Sequence, residues 1–497
     1  MKALAKNNIL KIFIGVSVIL KASGLMWGVN PYPGTKLEWF EHDEREYIRR
    51  TVEIALKKYT PCYHTLGFST QVAVLAKLLH IKPLSIKKNL ILGRVLALVY
   101  GLSLLGIIFL ICVNIWGEKE AIYSVIIAGG FPLLNIYSHL SLANIGNTFY
   151  LYLIIYLTIL FRTKALIFIH IFILSICTAL GLSMTGNLVI LIPPLLLIAM
   201  QNRRKVLYSL IIYFLFTSLF FYVVNGLYLR MQDIQLIMKN FQKDLLNVIP
   251  DHKDIYNLIV IPLSIIVSVT LPLFILGIKG LKTFISGSQT LFSKICITLP
   301  VTVYTTSLFL IDVPFDRYLL PLLPFWAMLG GLIISRLKSF KIPFVVILYL
   351  YIGAVGIEYN FWHENRQKAF YWITSHIPPG TEIYLNRYFK PSEFYYLYRV
   401  SPSITGADYI ILHERYYRRY IRSISHPFDS TPYHIYHKIG QDRIPIQRIF
   451  MNKGPYRIIK RFHTISLLPE HIIRKYTLGS YPDIIGDVIV AQKVNPE

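Results

Sequence analysis

Residues 89–115 read NLILGRVLALVYGLSLLGIIFLICVNI. A block this long and apolar crosses a hydrocarbon core of about 30 Å as a helix, and it lacks the period-two alternation of a barrel strand. Similar blocks recur near residues 9–28, 121–139, 147–161, 165–179, 182–200, 205–225, 255–278, 293–311, 317–335 and 342–358. The pattern predicts an α-helical polytopic membrane protein with about eleven transmembrane helices. Composition agrees: of 497 residues, 54% are hydrophobic and 14% aromatic, and the mean hydropathy of +0.51 excludes an ordinary soluble globule.

The N-terminus, MKALAKNNILKIFIGVSVIL, begins as a secretory signal does. Its apolar run continues past Lys21 to Val29 without a small-residue cleavage site, so an uncleaved first span is expected. Lys21, in the outer half of that span, is expected to snorkel to the interface. Cys62, Cys112, Cys177 and Cys296 are scattered without metal-like spacing, and only Cys62 lies clearly outside an apolar block, so no disulfide framework is expected.

The connections set the threading, because Lys and Arg in short loops collect on the cytoplasmic side. With the N-terminus inside, the inner loops are GEKE (117–120), FRTK (161–164), QNRRK (201–205), the stretch 278–294 and SRLKSFK (335–341), all net basic except the first. The outer face then receives residues 28–88, residues 225–254 and everything beyond about 359. Two domains follow: a transmembrane domain, 1–359, whose first outer loop (28–88) carries surface helices, and an outer soluble α/β domain, 360–497. The latter turns rich in Tyr, Arg and His, with turn signals HIPPG (376–380) and SYPD (480–483). EIYL, DYIILH and DVIVAQK read as strands; YYLYRV and ERYYRRYIRSI read as helix or strand. The chain has 51 Lys and Arg against 26 Asp and Glu. The basic excess of the last domain suits anionic headgroups or polyanionic glycans, or is a solvated face. No nucleic-acid partner is expected.

Against that charge balance, EWFEHDEREY (38–47) concentrates carboxylates in the first outer loop. HDEREYIRRTVEIALKKY reads as an amphipathic helix, with Tyr47, Ile48, Val52, Ile54 and Ala55 opposite Arg49, Arg50, Lys57 and Lys58. PCYHTLGFSTQVAVLAKLLHIKPL reads as a second, more apolar helix along the membrane surface, since a crossing would invert every later loop. Asp43 and Glu44 stand at the start of the first helix, where the dipole favours negative charge. Asp43 is either an N-cap or a general base accepting a proton from a hydroxyl. His139, Asn144 and Asn147, and Asp312, Asp316 and Arg317, fall near the outer boundary, where ionisable groups are candidate site residues. Arg317 suits a phosphate through its planar fork, or pairs with Asp312 or Asp316. For His139 a structural hydrogen bond is expected.

Taken in order, these stretches resemble the GT-C superfamily of polytopic glycosyltransferases, near the protein mannosyltransferase and aminoarabinose transferase branch (glycosyltransferase family 39-like). The resemblance rests on HDEREY, on GRVLALVYGLSLL (93–105), on PLLNIYSHLSLANIGNTFYLYL (132–153), on GLSMTGNLVILIPPLLL (181–197) and on FDRYLLPLLPFWAMLGG (315–331). In the last domain, WITSHIPPGTEIYL and GADYIILHERYYRRYI look like outer-domain segments of many prokaryotic members. Two departures stand out: Asn144 replaces an acid common in the family, and Thr185-Gly186-Asn187 replaces a usual T-K pair. Loss of the second carboxylate weakens a two-acid or metal-bridged mechanism.

The resemblance implies a hexosyl or pentosyl transferase in a prokaryotic cell membrane, with membrane lipids around it. It would move a sugar from a polyprenyl-phosphate donor to a protein, lipid or glycan acceptor on the outer face, with inversion. Asp43 would be the base, and Glu44 a second choice or an orienting partner. Arg317, Arg49 and Arg50 would stabilise the donor phosphate; His139, Asn144, Asp316 and Tyr318 complete the candidate set. No cofactor is required with certainty; a divalent metal is admitted, with Asp43 as its ligand. The rival readings are a transporter or flippase, a glycan polymerase or ligase, and a noncatalytic relative. Against a transporter stand the odd number of spans and the absence of paired repeats.

Overall fold

The computed structural model describes residues 8–27, 42–57, 65–162, 168–200, 203–226, 253–309, 316–386, 388–391, 393–425, 443–477 and 486–494. Glu38, Glu41, Lys58, Cys62, Asp312, SYPD and most of the second outer loop lie outside those residues. The side chains of Asp43 and Asp316 also lie outside them.

Two compact units emerge. The first comprises Met1–Leu25, His42–Ile249 and Ser268–Ala354; the second comprises Met26–Glu41, Pro250–Val267 and Val355–Glu497. In chain order the helices of the first are α1 (Asn8–Ser23), α2 (His42–Ala55), α3 (Gly67–Leu78), α4 (Ile86–Ile115), α5 (Glu118–Gly130), α6 (Pro132–Ser138), α7 (Asn144–Phe161), α8 (Phe168–Thr185), α9 (Ile192–Ala199) and α10 (Arg203–Phe221). They are followed by α11 (Lys253–Val269), which passes between units, then α12 (Leu271–Ser286), α13 (Leu291–Phe309), α14 (Leu323–Ile334) and α15 (Lys341–Trp362), which again runs on into the second unit.

Among the described residues, seven helices are long and apolar enough to cross a membrane, or nine if each of two bent pairs is one span. The chain is thus an integral membrane protein. The bends have local causes. Between α5 and α6 the axis turns 70°, where Pro132 at the start of α6 brings no backbone N–H. The 103° turn inside the second pair falls at Thr270, whose φ is +72°, just before Pro272. The other two expected spans are shorter helices. α1 has sixteen residues plus a 3-10 turn, Gly24–Met26. The 182–200 block divides at Asn187, whose side chain accepts from Val189 N and caps a 3-10 turn before α9.

Helix α4 packs closely against the end of α6 and the segment that follows it. A Cβ on Gly93 would fall 2.0 Å from Ser141 Oγ, and one on Gly101 would fall 2.1 Å from Ser138 Oγ. The two glycines lie on one face about two turns apart, so absent side chains let the backbones meet. Two motifs that carry the family resemblance therefore touch each other.

The second unit contains α16 (Asn365–His376), β1 (Glu382–Leu385), α17 (Phe394–Leu397), β2 (Arg399–Ser401), β3 (Tyr409–His413), α18 (Glu414–Ser425), α19 (Arg443–Phe450), β4 (Tyr456–Phe462), α20 (Pro469–Thr477) and β5 (Val488–Lys493). The strand order is β2-β1-β3-β5-β4. β1 is parallel to β2 and β3, while β5 is antiparallel to β3 and β4. Both faces of the sheet are covered. Ile383, Leu385, Ile411 and Val490 pack with Ile373 of α16; Tyr384, Ile410, Leu412 and Ile489 pack with Tyr420 of α18 and Ile446 of α19. The alternation is that of successive strand residues pointing to opposite faces, and it explains why β1, β3 and β5 read as apolar runs.

Candidate functional site

The first-loop helices are fastened to the bundle by two polar knots. α2 and α3 first pack on each other through Ile54, Leu66 and Ala73, with Tyr47 edge-on to Phe68 at 5.7 Å and Ser69 Oγ donating to Tyr47 O. At the far end, Asn225 Oδ1 accepts from Leu66 N at 2.9 Å, while its Nδ2 donates to Ser183 Oγ at 2.6 Å. α3 begins at Gly67, where a Cβ would meet the Ser183 carbonyl oxygen at 2.4 Å.

The second knot is ionic. Glu44, in the first turn of α2, and Arg94 of α4 are both fully buried. Arg94 Nε donates to Glu44 Oε1 at 2.9 Å and Nη2 to Oε2 at 2.8 Å. Ser141 N donates to Oε1 at 2.7 Å, and Arg94 Nη1 donates to Leu25 O at 3.1 Å. One bidentate pair thus ties α2, α4, the end of α1 and the 139–141 turn together. Such a pair inside a protein stands only where its remaining hydrogen-bonding sites are also served, and here the backbone serves them.

Further polar groups complete this region. His139 is buried against Gly24, where a Cβ would lie 2.2 Å from the imidazole. Lys21 does not snorkel: it is buried, and its ammonium donates to Asn135 Oδ1 at 2.8 Å.

The candidate residues divide accordingly. Glu44 and His139 are brought to one polar cluster. Asp43 is the second residue of α2, adjacent in sequence to the Glu44 anchor. Arg49 and Arg50 both hold Glu46: Arg49 through Nη2 at 2.6 Å, Arg50 through Nη2 at 2.9 Å, with Arg49 also on Glu53 at 2.7 Å. Arg49's hydrogen bonds hold the Glu46 carboxyl below its usual range, against partial burial, which acts upward. Asn144 opens α7, half-buried, its carbonyl accepting from Thr148 Oγ1. Asp316 opens a 3-10 turn, Asp316–Leu322; within that turn, the Arg317 guanidinium lies 5.6 Å from the centroid of the Tyr318 ring. Among the described residues, no three of His, Cys, Asp and Glu converge as metal ligands do.

Arg94 is the residue that the sequence reading passed over. Its signal was present: a lone arginine in an otherwise apolar block is a candidate site residue by its cost alone.

No family model and no curated protein matches the chain. Solved structures do. The crystal structure of ArnT from Cupriavidus metallidurans bound to undecaprenyl phosphate aligns over 99% of this chain and 100% of that one, with TM-score 0.53 and 11% identity. The oligosaccharyltransferase AglB from Archaeoglobus fulgidus, in complex with an inhibitory peptide and a dolichol-phosphate, aligns over 99% and 89%, with TM-score 0.51 and 10% identity. The chain has the GT-C fold. A further structure of the Archaeoglobus oligosaccharyltransferase, a complex with Zn and sulfate, aligns over 98% and 88%, with TM-score 0.51 and 10% identity. These alignments cover 88–100% of the chains compared. The Glu44–Arg94 knot fastens the start of α2 to α4.

Proposed function

We propose that this protein transfers a sugar from a polyprenyl-phosphate-linked donor to a protein, lipid or glycan acceptor at the outer face of the membrane, with Asp43 as the base. The observation that carries the reading is the buried Glu44–Arg94 pair. It fixes the first turn of α2, and with it the backbone of Asp43, to the bundle. The fold is shared with an ArnT bound to undecaprenyl phosphate and an AglB bound to dolichol-phosphate, and the excess of Lys and Arg in the alternate loops supports an outer first loop.

In this reading the acceptor hydroxyl or amine attacks the anomeric carbon as the bond from that carbon to the phosphate oxygen breaks. The proton passes to the Asp43 carboxylate, and the lipid phosphate leaves with the electron pair. In-line displacement inverts the anomeric centre. A phosphate leaving group needs no proton but does need cationic stabilisation where its charge develops, the role given to Arg317. Arg49 and Arg50 would have to exchange Glu46 for the phosphate to join it. Glu44 is an orienting residue rather than the base, because both of its oxygens already accept hydrogen bonds.

The test is analysis of glycans and lipid-linked sugars in cells lacking the protein, complemented with wild type or Asp43→Asn. The asparagine variant, correctly inserted, should lose about 100-fold or more of the transfer rate while accumulating lipid-linked sugar. Full restoration of the glycan by Asp43→Asn would remove Asp43 from the mechanism.

A further inference from the structure

Helix α20 is inside out for a helix in water. Its polar residues Glu470, His471 and Arg474 are buried in the second unit, while Ile472 and Ile473 stand 44% and 49% exposed. The loop leading into it repeats the pattern, with Ile465 at 41% and Leu467 at 52%. Scattered exposed apolar residues are ordinary, but four within nine residues, with their polar neighbours turned inward, point to a non-aqueous partner.

The partner is indicated by what holds the segment. Asn360, in the last turn of α15, donates through Nδ2 to Ile465 O at 2.8 Å and accepts at Oδ1 from Ile465 N at 2.8 Å. One turn earlier, a Cβ on Gly356 would lie 2.7 Å from the Leu467 side chain. α15 belongs to one of the segments long and apolar enough to cross a membrane, beginning at Lys341. At 1.5 Å per residue, Gly356 stands about 22 Å and Asn360 about 28 Å along the axis, inside and at the edge of a hydrocarbon core of about 30 Å. Tyr359 and Trp362, exposed at the same level, are the aromatic residues that settle at a membrane–water boundary.

We propose that residues 465–473 form an interfacial anchor of the C-terminal unit, with Ile465, Leu467, Ile472 and Ile473 seated at the acyl boundary of the leaflet into which α15 emerges. The occupant of this surface is lipid. The anchor would hold the unit against the membrane by a second attachment beside its covalent one, whatever group the chain transfers.

The experiment uses the full chain with Cys62, Cys112, Cys177 and Cys296 replaced by Ala, in nanodiscs of phosphatidylcholine and phosphatidylglycerol. Single cysteines at Leu467 or Ile473, and at Tyr396 as an exposed control, carry an environment-sensitive fluorophore. Quenching by doxyl-labelled lipid should be several-fold stronger at Leu467→Cys and Ile473→Cys than at Tyr396→Cys, and quenching by aqueous iodide several-fold weaker. Iodide quenching equal to the control would overturn the proposal. So would protection from both quenchers, which would mean that a protein, a second copy included, covers the surface. Ile465→Cys and Ile472→Cys repeat the measurement where either first variant lowers the unfolding temperature.

Discussion

At the scale of single residues, the attachment of α2 depends on Glu44 and Arg94. Taking one partner from a buried pair strands the other charge, a loss of about 3–5 kcal/mol. Arg94→Met removes the guanidinium that meets both Glu44 oxygens, and should lower the thermal unfolding temperature in detergent by several degrees. Arg94→Lys keeps the charge but not the fork that meets both oxygens, and should fall between Met and wild type. A double variant, Glu44→Met with Arg94→Leu, should recover much of the stability lost by Arg94→Met. Unfolding of Arg94→Met at the wild-type temperature would make the pair incidental. Arg317 is tested by chemistry instead. If it stabilises the departing phosphate, Arg317→Ala should lower kcat by about 100-fold while Arg317→Lys loses less, and a change confined to KM would make it a binding residue only.

Elements come next, and here glycines decide how closely helices approach. A Cβ on Gly101 would meet Ser138 Oγ at 2.1 Å and Ser138 Cβ at 2.7 Å, so rotating the hydroxyl away does not relieve the clash. Gly101→Ala should destabilise the chain by about 1–3 kcal/mol through overpacking, and Ser138→Gly should restore part of that loss in the double variant. Additive penalties in that cycle would mean that the two positions do not share a contact. The spans around this contact were legible because twenty or so apolar residues have one solution in a bilayer. Their breaks were less so, since the turns at Pro132, Asn187 and Thr270 are short interruptions with apolar residues on both sides. The same limit applied to the sheet. β1, β3 and β5, covered on both faces, read as apolar runs. β4, YRIIKRF, lies at the sheet edge with Arg457, Lys460 and Arg461 exposed, and its cations hid it, although charge on an edge strand is how sheets avoid further pairing. At the site, the acidic motif and its helix could be read locally, whereas the Glu44–Arg94 pair joins residues fifty positions apart and needed the fold.

For the whole molecule, charge governs the response to acid. With 51 Lys and Arg against 26 Asp and Glu, each proton taken up adds to an existing excess of positive charge, and the C-terminal unit holds two groups that resist protonation when folded. Burial pushes the His471 imidazole down from 6.5 to about 4. Asp487 is shifted below its usual value: burial, the largest influence, acts upward, but the Lys475 charge and hydrogen bonds from Thr464, Lys475 and His463 outweigh it. Its oxygens receive Thr464 N at 2.8 Å, Lys475 Nζ at 2.9 Å and His463 Nδ1 at 2.8 Å. Both shifts carry the same sign. The unfolded chain binds the proton more readily, so stability is full above the unfolded pKa and falls as the pH drops toward the folded one. His471 acts between 6.5 and about 4, withdrawing up to about 3 kcal/mol; Asp487 acts below the ordinary carboxylate value. Unfolding temperatures of the detergent-solubilised chain should therefore decline steadily from pH 7 to 4, with a second decline below. His471→Leu, whatever its offset at pH 7, should flatten the first decline and leave the second. Parallel curves for wild type and His471→Leu across pH 7 to 4 would show that the imidazole is not the group taking up the proton.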